Sequence, residues 1–317
     1  MGTLAVISDL HVDINQLFDP HLQLIADYLQ QNQVTHLHLA GDVANKKQRL
    51  LDVVAFFQSR QVPTTFHWGN HEMVDLTEQE IEAFDDPAFL NFQTYRLSEK
   101  TQLLGINGWY DYQYSDLTSE AEILRLKNLF WYDRMIQRKG SDKEISQAIN
   151  ERLAETLAHL PQDQEILLST HFVPQEAFIV RQTGKYARWN HLNAFLGSPD
   201  FGAVIDQYAN VRAVVFGHTH RRFEKKVLAG TSYYCRPFGY YYEWQLTRRF
   251  VLENHLAEAY SPTKVRTLLR NHHEAFEDYK TAHLLEELAQ AITLLPYWRS
   301  KRVLLVFVID FPSNLNH

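Results

Sequence analysis

Apolar positions along the first half of this chain come in short runs that stop at polar residues. Leu4, Ala5, Val6 and Ile7 run into Ser8 and Asp9, residues 36–40 run into Gly41-Asp42, and residues 64–68 run into Gly69-Asn70-His71-Glu72. Between the runs the spacing changes. From Pro20 to about Gln31, Leu22, Ile25, Ala26 and Leu29 share one helical face, and Leu50, Val53, Val54 and Phe57 share another. Strands alternating with helices predict an α/β domain with helices packed on sheet faces. In such sheets ligands bind beyond the carboxyl ends of the strands, and here those ends deliver Asp, Asn and His.

The middle of the chain breaks the alternation. Residues 105–114 are aromatic, with Trp109, Tyr110, Tyr112 and Tyr114, and two helical segments follow at about 118–137 and 142–160. They read as an insertion, about 107–160, packed over or beside the strand ends. Strand character returns at 165–170, ending at His171, and at 211–216, ending at Gly217-His218-Thr219-His220. Segments near 223–228 and 231–236 read as a hairpin around Ala229-Gly230. From about 256 the pattern is helical, with Leu284, Leu285, Leu288 and Ile292 at helix spacing, and an apolar run at 303–309 reads as an added strand or a buried tail. The expected organisation is a domain over 1–255 carrying the insertion, with a helical extension over 256–317 packed on it.

Composition narrows the function. The 317 residues are 45% hydrophobic, with a formal charge of −7 and a pI near 6.1. A general nucleic-acid binder usually carries a basic face, so the balance argues against one. A single cysteine, Cys235, allows no intrachain disulfide, and residues 1–8 read as a strand rather than a leader. The run at 303–309 is too short to span a bilayer. A cytoplasmic protein is expected, with no membrane partner. The 16 histidines are a hint of another kind, because neutral imidazole is the commonest side-chain metal ligand.

The chemistry lies in an ordered set: Asp9-x-His11, Gly41-Asp42, Gly69-Asn70-His71-Glu72, His171 and Gly217-His218-Thr219-His220. Asp-x-His alone is expected about once by chance in this composition, but Gly-His-x-His only about 0.03 times. All pieces in order, each after a strand, make coincidence a poor explanation. The order resembles the calcineurin-like metallophosphoesterase superfamily across roughly residues 3–225. That resemblance implies a four-layer αββα sandwich with mixed central sheets, carrying here the helical insertion and the helical extension. It also implies two metals: Asp9, His11 and His220 hold the first, Asp42 bridges, and Asn70, His171 and His218 complete the second. His71 is implied as the catalytic histidine beside the leaving group.

Elementary physics is consistent with those roles. Two cations about 3.5–4 Å apart need a shared anionic ligand, and water between them is acidified towards neutral pH, giving a hydroxide that attacks phosphorus in line. A nearby imidazole can protonate the leaving oxygen. The mixed N/O donor set suits Mn, Fe or Zn better than Ca. After Asp42 the chain reads Val43-Ala44-Asn45-Lys46, whereas the protein Ser/Thr phosphatase branch of the family has Asp-Arg-Gly shortly after, so phosphoprotein substrates are disfavoured. The expectation is a dinuclear-metal phosphoesterase acting on a small phosphodiester or nucleotide-like molecule. The alternatives are a nuclease acting on DNA or RNA, and a non-catalytic scaffold of the same fold, which would have lost ligands.

Other residues carry plainer expectations. His36, His38 and His67 sit before strand ends and read as packing. The cluster at 109–114, Tyr240 to Tyr242, and Trp244 read as core rather than a stacking wall. Glu72 reads equally as a group orienting a ligand and as an acid at a helix start. Lys185, Arg188, Arg221 and Arg222 read as surface charge.

Overall fold

The computed structural model describes residues 1–298; the apolar run at 303–309 lies outside them. Among the described residues the strands form two mixed sheets. The first has the order β10-β1-β2-β3, from Thr293–Tyr297, Gly2–Ile7, His36–Ala40 and Thr64–His67. β1, β2 and β3 are parallel, and β10 pairs antiparallel with β1. The second has the order β4-β5-β6-β7-β9-β8, from Gln93–Arg96, Thr101–Ile106, Glu165–Thr170, Val211–Phe216, Thr231–Cys235 and Lys226–Leu228. Its central strands β5, β6, β7 and β9 are parallel, and β4 and β8 close its edges antiparallel.

The sheets pack face to face, which explains why their strands are apolar on both sides. Leu4 and Val6 of β1 meet Leu103, Leu167, Ala213 and Val215 of the second sheet in one buried cluster. Their neighbours Ala5 and Ile7 join the larger cluster that includes the helix residues Leu22, Ile25, Leu50 and Val53. The inter-sheet layer also holds histidines, each bonded locally through at least one ring nitrogen. His36 Nε2 and His38 Nδ1 share the Thr65 hydroxyl at 2.8 and 2.9 Å, and His67 Nε2 reaches Ser169 Oγ at 3.0 Å. Burial holds His36 and His67 near a pKa of about 3, so they are neutral packing groups.

The insertion folds as a helix Glu120–Phe130, a 3₁₀ turn Tyr132–Met135 and a helix Asp142–His159. Asp142 ties it together, accepting from Lys127 Nζ at 2.6 and 2.8 Å and from Trp109 Nε1 at 2.9 Å. Trp109, Tyr110, Tyr112 and Tyr114 are buried core. The C-terminal part is helical at Pro262–Arg270 and His273–Ala291, then differs from expectation: it returns as β10. β10 contains Pro296, which is tolerated because the strand lies at a sheet edge. Among the described residues no helix is long and apolar enough to cross a membrane.

Leu167 is 1% exposed at the centre of the inter-sheet layer. Leu167→Ala should cost about 2–5 kcal/mol of stability. Urea unfolding checks this, and an unchanged midpoint would mean that the sheets do not pack through this layer.

Candidate metal centre

Parallel strands direct their carboxyl ends to one edge, and backbone bonds lace those ends together. Asp9 N donates to Gly41 O, His11 N to Asp42 O, His171 N to Asn107 O and Gly217 N to His171 O. Two bonds cross between the sheets, Trp68 N donating to Asn107 Oδ1 and His218 N to the Asp9 carboxylate, so loops from both sheets share one point. The backbone there is unusual: Asp9, His11, Asp42, His218 and His220 all have positive φ, between 41° and 68°. Such conformations are sparsely populated for residues with a Cβ and gather at functional sites. Glycines provide the clearance: a Cβ on Gly69 would overlap Asp42 Oδ1, and one on Gly217 would overlap Asp9 Oδ2.

The seven residues expected as ligands come together. Asp42, 1% exposed, is the centre. Its Oδ2 lies 3.4 Å from His171 Nε2, 3.7 Å from His11 Nε2 and 3.9 Å from His71 Nε2. On one side His220 Nε2 stands 3.3 Å from Asp9 Oδ1 and 3.1 Å from His11 Nε2. On the other, His171 Nε2 stands 3.0 Å from Asn70 Oδ1 and 3.1 Å from His218 Nδ1. Asp9, His11, Asp42 and His220 thus form one possible cation-holding group, and Asp42, His171 and His218 a second.

These donors fit metal ions. His171 Nδ1 donates to Ala40 O, His218 Nε2 to Phe195 O and His220 Nδ1 to Glu243 Oε2. Each outer bond fixes the proton on the outward nitrogen of the neutral ring and leaves a lone pair facing inward. Two carboxylates and one amide oxygen complete two mixed N/O sets that share Asp42, a donor chemistry suited to first-row transition ions. Before an ion binds the rings differ in basicity, and an incoming ion would displace the inward proton of the two most basic, His171 and His220. Burial lowers His11 and His71 below the ordinary imidazole value, and His218 to about 3. Burial acts the same way on His171 and His220, but carboxylate neighbours outweigh it: Asp42 raises His171 to about 9, and Asp9 with Glu243 raises His220 to about 10.

Supporting residues come from inside and outside the motifs. Glu72 accepts from the backbone N–H of Asp42, Ala44 and Gly69 at 2.9–3.0 Å, so it braces the loop that carries Asp42. Burial, then the charge of Asp42, raises its carboxyl above the ordinary value. His71 Nδ1 donates to Asn45 Oδ1 at 2.7 Å, and its Nε2 accepts from the Tyr240 hydroxyl at 3.1 Å. Tyr132 stacks on the His71 ring at 4.3 Å. Tyr240 therefore belongs to the site, not to the core expected for it, whereas Trp244 is core. Sequence reasoning also missed Asn45, Tyr132, Asp133 and Glu243; the aromatic run at 240–244 was the signal nearest to any of them. Lys185, Arg188 and Arg221 are exposed, and Arg222 pairs with Glu287 at 2.7 Å.

Beside this centre lies a cavity of about 770 Å³. Thr219 and Glu243, which adjoin His220, form part of its wall, and Trp131, Tyr186, Trp189 and Tyr260 supply aromatic faces. Tyr186 and Trp189 are about half exposed.

A model of the calcineurin-like phosphoesterase family matches residues 2–222. No curated protein matches the sequence. Among solved structures, a phosphopantetheinyl hydrolase from Mycobacterium tuberculosis superposes with a TM-score of 0.55 at 20% identity, covering 77% of this chain and 92% of its own. A dimetal phosphatase from Danio rerio gives 0.44 at 17% identity, over 74% and 87%. The first likeness shows a shared fold.

If Asp42 is the ligand shared by both groups, Asp42→Asn should weaken the binding of two ions together. Calorimetric titration of metal-depleted protein with Mn²⁺ checks this; wild-type stoichiometry and affinity in the variant would rule out the shared role.

Proposed function

The chain belongs to the calcineurin-like phosphoesterase family, and we propose that it hydrolyses a phosphate ester at this centre, with a small phosphodiester or nucleotide-like molecule as substrate. The observation that carries the reading is the convergence of seven donors from five strand ends on two points that share Asp42. Family members typically bind two divalent metals. Asp9, His11 and His220 would hold one ion, Asn70, His171 and His218 the other, and Asp42 would touch both. Ions bound there would supply an acidified water as nucleophile and neutralise the phosphoryl oxygens.

The remaining work falls to side chains. The single negative charge of Asp42 lies between the two groups and offsets like-charge repulsion. His71 faces the same carboxylate from outside both donor sets, its ring clamped by Asn45, Tyr240 and Tyr132. That clamp holds Nε2 3.9 Å from Asp42 Oδ2; with its Nδ1–H given to Asn45, the ring must first take a second proton from water at Nε2, which it can then pass to a departing alkoxide. The Tyr240 hydroxyl is the donor that meets Nε2 before substrate arrives. The half-exposed Trp189 and Tyr186 support a planar organic group on the substrate, since a flat ring gains about 1–3 kcal/mol by stacking on such a side chain. The complete donor set disfavours a scaffold that has lost catalysis.

Metal-depleted protein resupplied with Mn²⁺, Zn²⁺, Fe²⁺ or Mg²⁺ should regain hydrolysis of bis(p-nitrophenyl) phosphate in preference to p-nitrophenyl phosphate. Two tightly bound ions with no hydrolysis of either ester would refute the enzymatic reading. His71→Gln should keep both ions and lose about 10²–10⁴-fold in rate; loss of an ion would make His71 a ligand instead. Trp189→Ala should raise KM for the p-nitrophenyl ester of thymidine 5′-phosphate roughly fivefold or more. An unchanged KM would separate the cavity from the substrate.

A further inference from the structure

We infer that Asp133, in the 3₁₀ turn of the insertion, is a positioning residue that sets which way the Asn70 amide faces. The inference rests on the metal-centre reading above and extends it to a residue that never reaches the ions.

Asp133 is fully buried and Asn70 is 3% exposed. Each oxygen of the Asp133 carboxylate is taken by one N–H donor: Oδ1 by Asn70 Nδ2 at 2.7 Å, and Oδ2 by Trp131 Nε1 at 2.9 Å. An ionised carboxylate only accepts, and an indole N–H only donates. Asn70 must therefore turn its NH₂ towards Asp133, which points its carbonyl oxygen the other way, 3.0 Å from His171 Nε2. That is the orientation a metal ligand requires, because an amide oxygen has lone pairs to give and an amide NH₂ has none. Without Asp133 the two orientations of Asn70 differ little in shape, and an NH₂ turned inward would set a donor against the cations. Trp131 holds the second carboxylate oxygen, and the ion pair of Lys127 with Asp142 at 2.6 Å anchors the helix that ends just before Trp131. The insertion thus completes the centre through one amide.

Asp133→Asn keeps the shape and changes the hydrogen-bond logic. Its amide offers one oxygen and one NH₂; Trp131 claims the oxygen, so the NH₂ meets Asn70 and turns that amide over. The double variant Asn70→Asp/Asp133→Asn restores the logic at unchanged total charge. The new amide donates to one oxygen of the relocated carboxylate and accepts from Trp131, leaving the other carboxylate oxygen facing His171.

The test is calorimetric titration of metal-depleted wild type and both variants with Mn²⁺, with thermal unfolding of the metal-free proteins as the folding control. Wild type should bind two ions. Asp133→Asn should bind one as wild type does and the other about 10–100-fold more weakly, the usual effect of removing a group that orients a ligand. The double variant should recover two-ion binding. Wild-type affinities for both ions in Asp133→Asn would overturn the inference. So would a folded double variant that binds no better than Asp133→Asn, since Asp133 would then be a packing residue. Wild type that binds no Mn²⁺ would overturn both this inference and the metal centre beneath it. Because the readout is binding, absence of ester hydrolysis bears on the proposed function alone.

Discussion

A carboxylate in a protein interior must be met by positive charge or by donors, because stripping its water costs several kcal/mol. Asp42 sits 1% exposed beyond the end of β2, an inner strand of the first sheet. The His71 N–H donates to its Oδ1 at 2.9 Å, and imidazoles from the ends of β1, β3 and β6 approach its Oδ2 at 3.4–3.9 Å. Two sheets have to lie face to face, with their parallel strands ending at one edge, for those groups to meet. The Leu and Val layer between the sheets sets that alignment, so the core and the site answer the same demand.

Meeting that demand strains the backbone. Five non-glycine residues at the strand ends occupy the left-handed region, each at a cost of order 1–3 kcal/mol. The loops persist because they are laced to one another. Asp9 accepts from the His218 N–H at 2.9 and 3.1 Å, Glu72 gathers three backbone donors, and Asn15 Nδ2 ties Leu10 O to Gly239 O at 2.9 Å. The left-handed turns aim each side chain inward immediately after its strand, which a gradual loop would not do. Strain and function are here the same local geometry.

Much of this was legible in the sequence because it is written in short pieces. A strand end, a glycine and a ligand occupy three or four consecutive residues, so each motif announces its element and its chemistry together. The histidines inside β2 and β3 were separable from those after the strands by position alone. Three things were less visible. β4, with Gln93 and Arg96, has no apolar alternation because it is a largely exposed edge. β10 follows a long helix and contains a proline. Asn45, Tyr132, Asp133, Glu243 and Tyr240 act through contacts made across the fold, and a single residue outside a motif has no spacing to betray it.

The insertion and the centre are bound more closely than their separation in sequence suggests. Trp131 forms part of the cavity wall, holds Asp133 by its ring N–H, and packs 4.9 Å from Phe195, whose carbonyl accepts from His218. Tyr132, the next residue, lies against His71. Side chains that would meet the organic part of a substrate therefore also hold the groups that would meet its phosphorus. A change in the insertion that reshapes the cavity must move Asn70 or His71 as well, unless the 3₁₀ turn is preserved. If the cavity takes the organic part of a substrate, as proposed, its choice would vary more readily at the half-exposed Tyr186 and Trp189 than at Trp131, which holds Asp133.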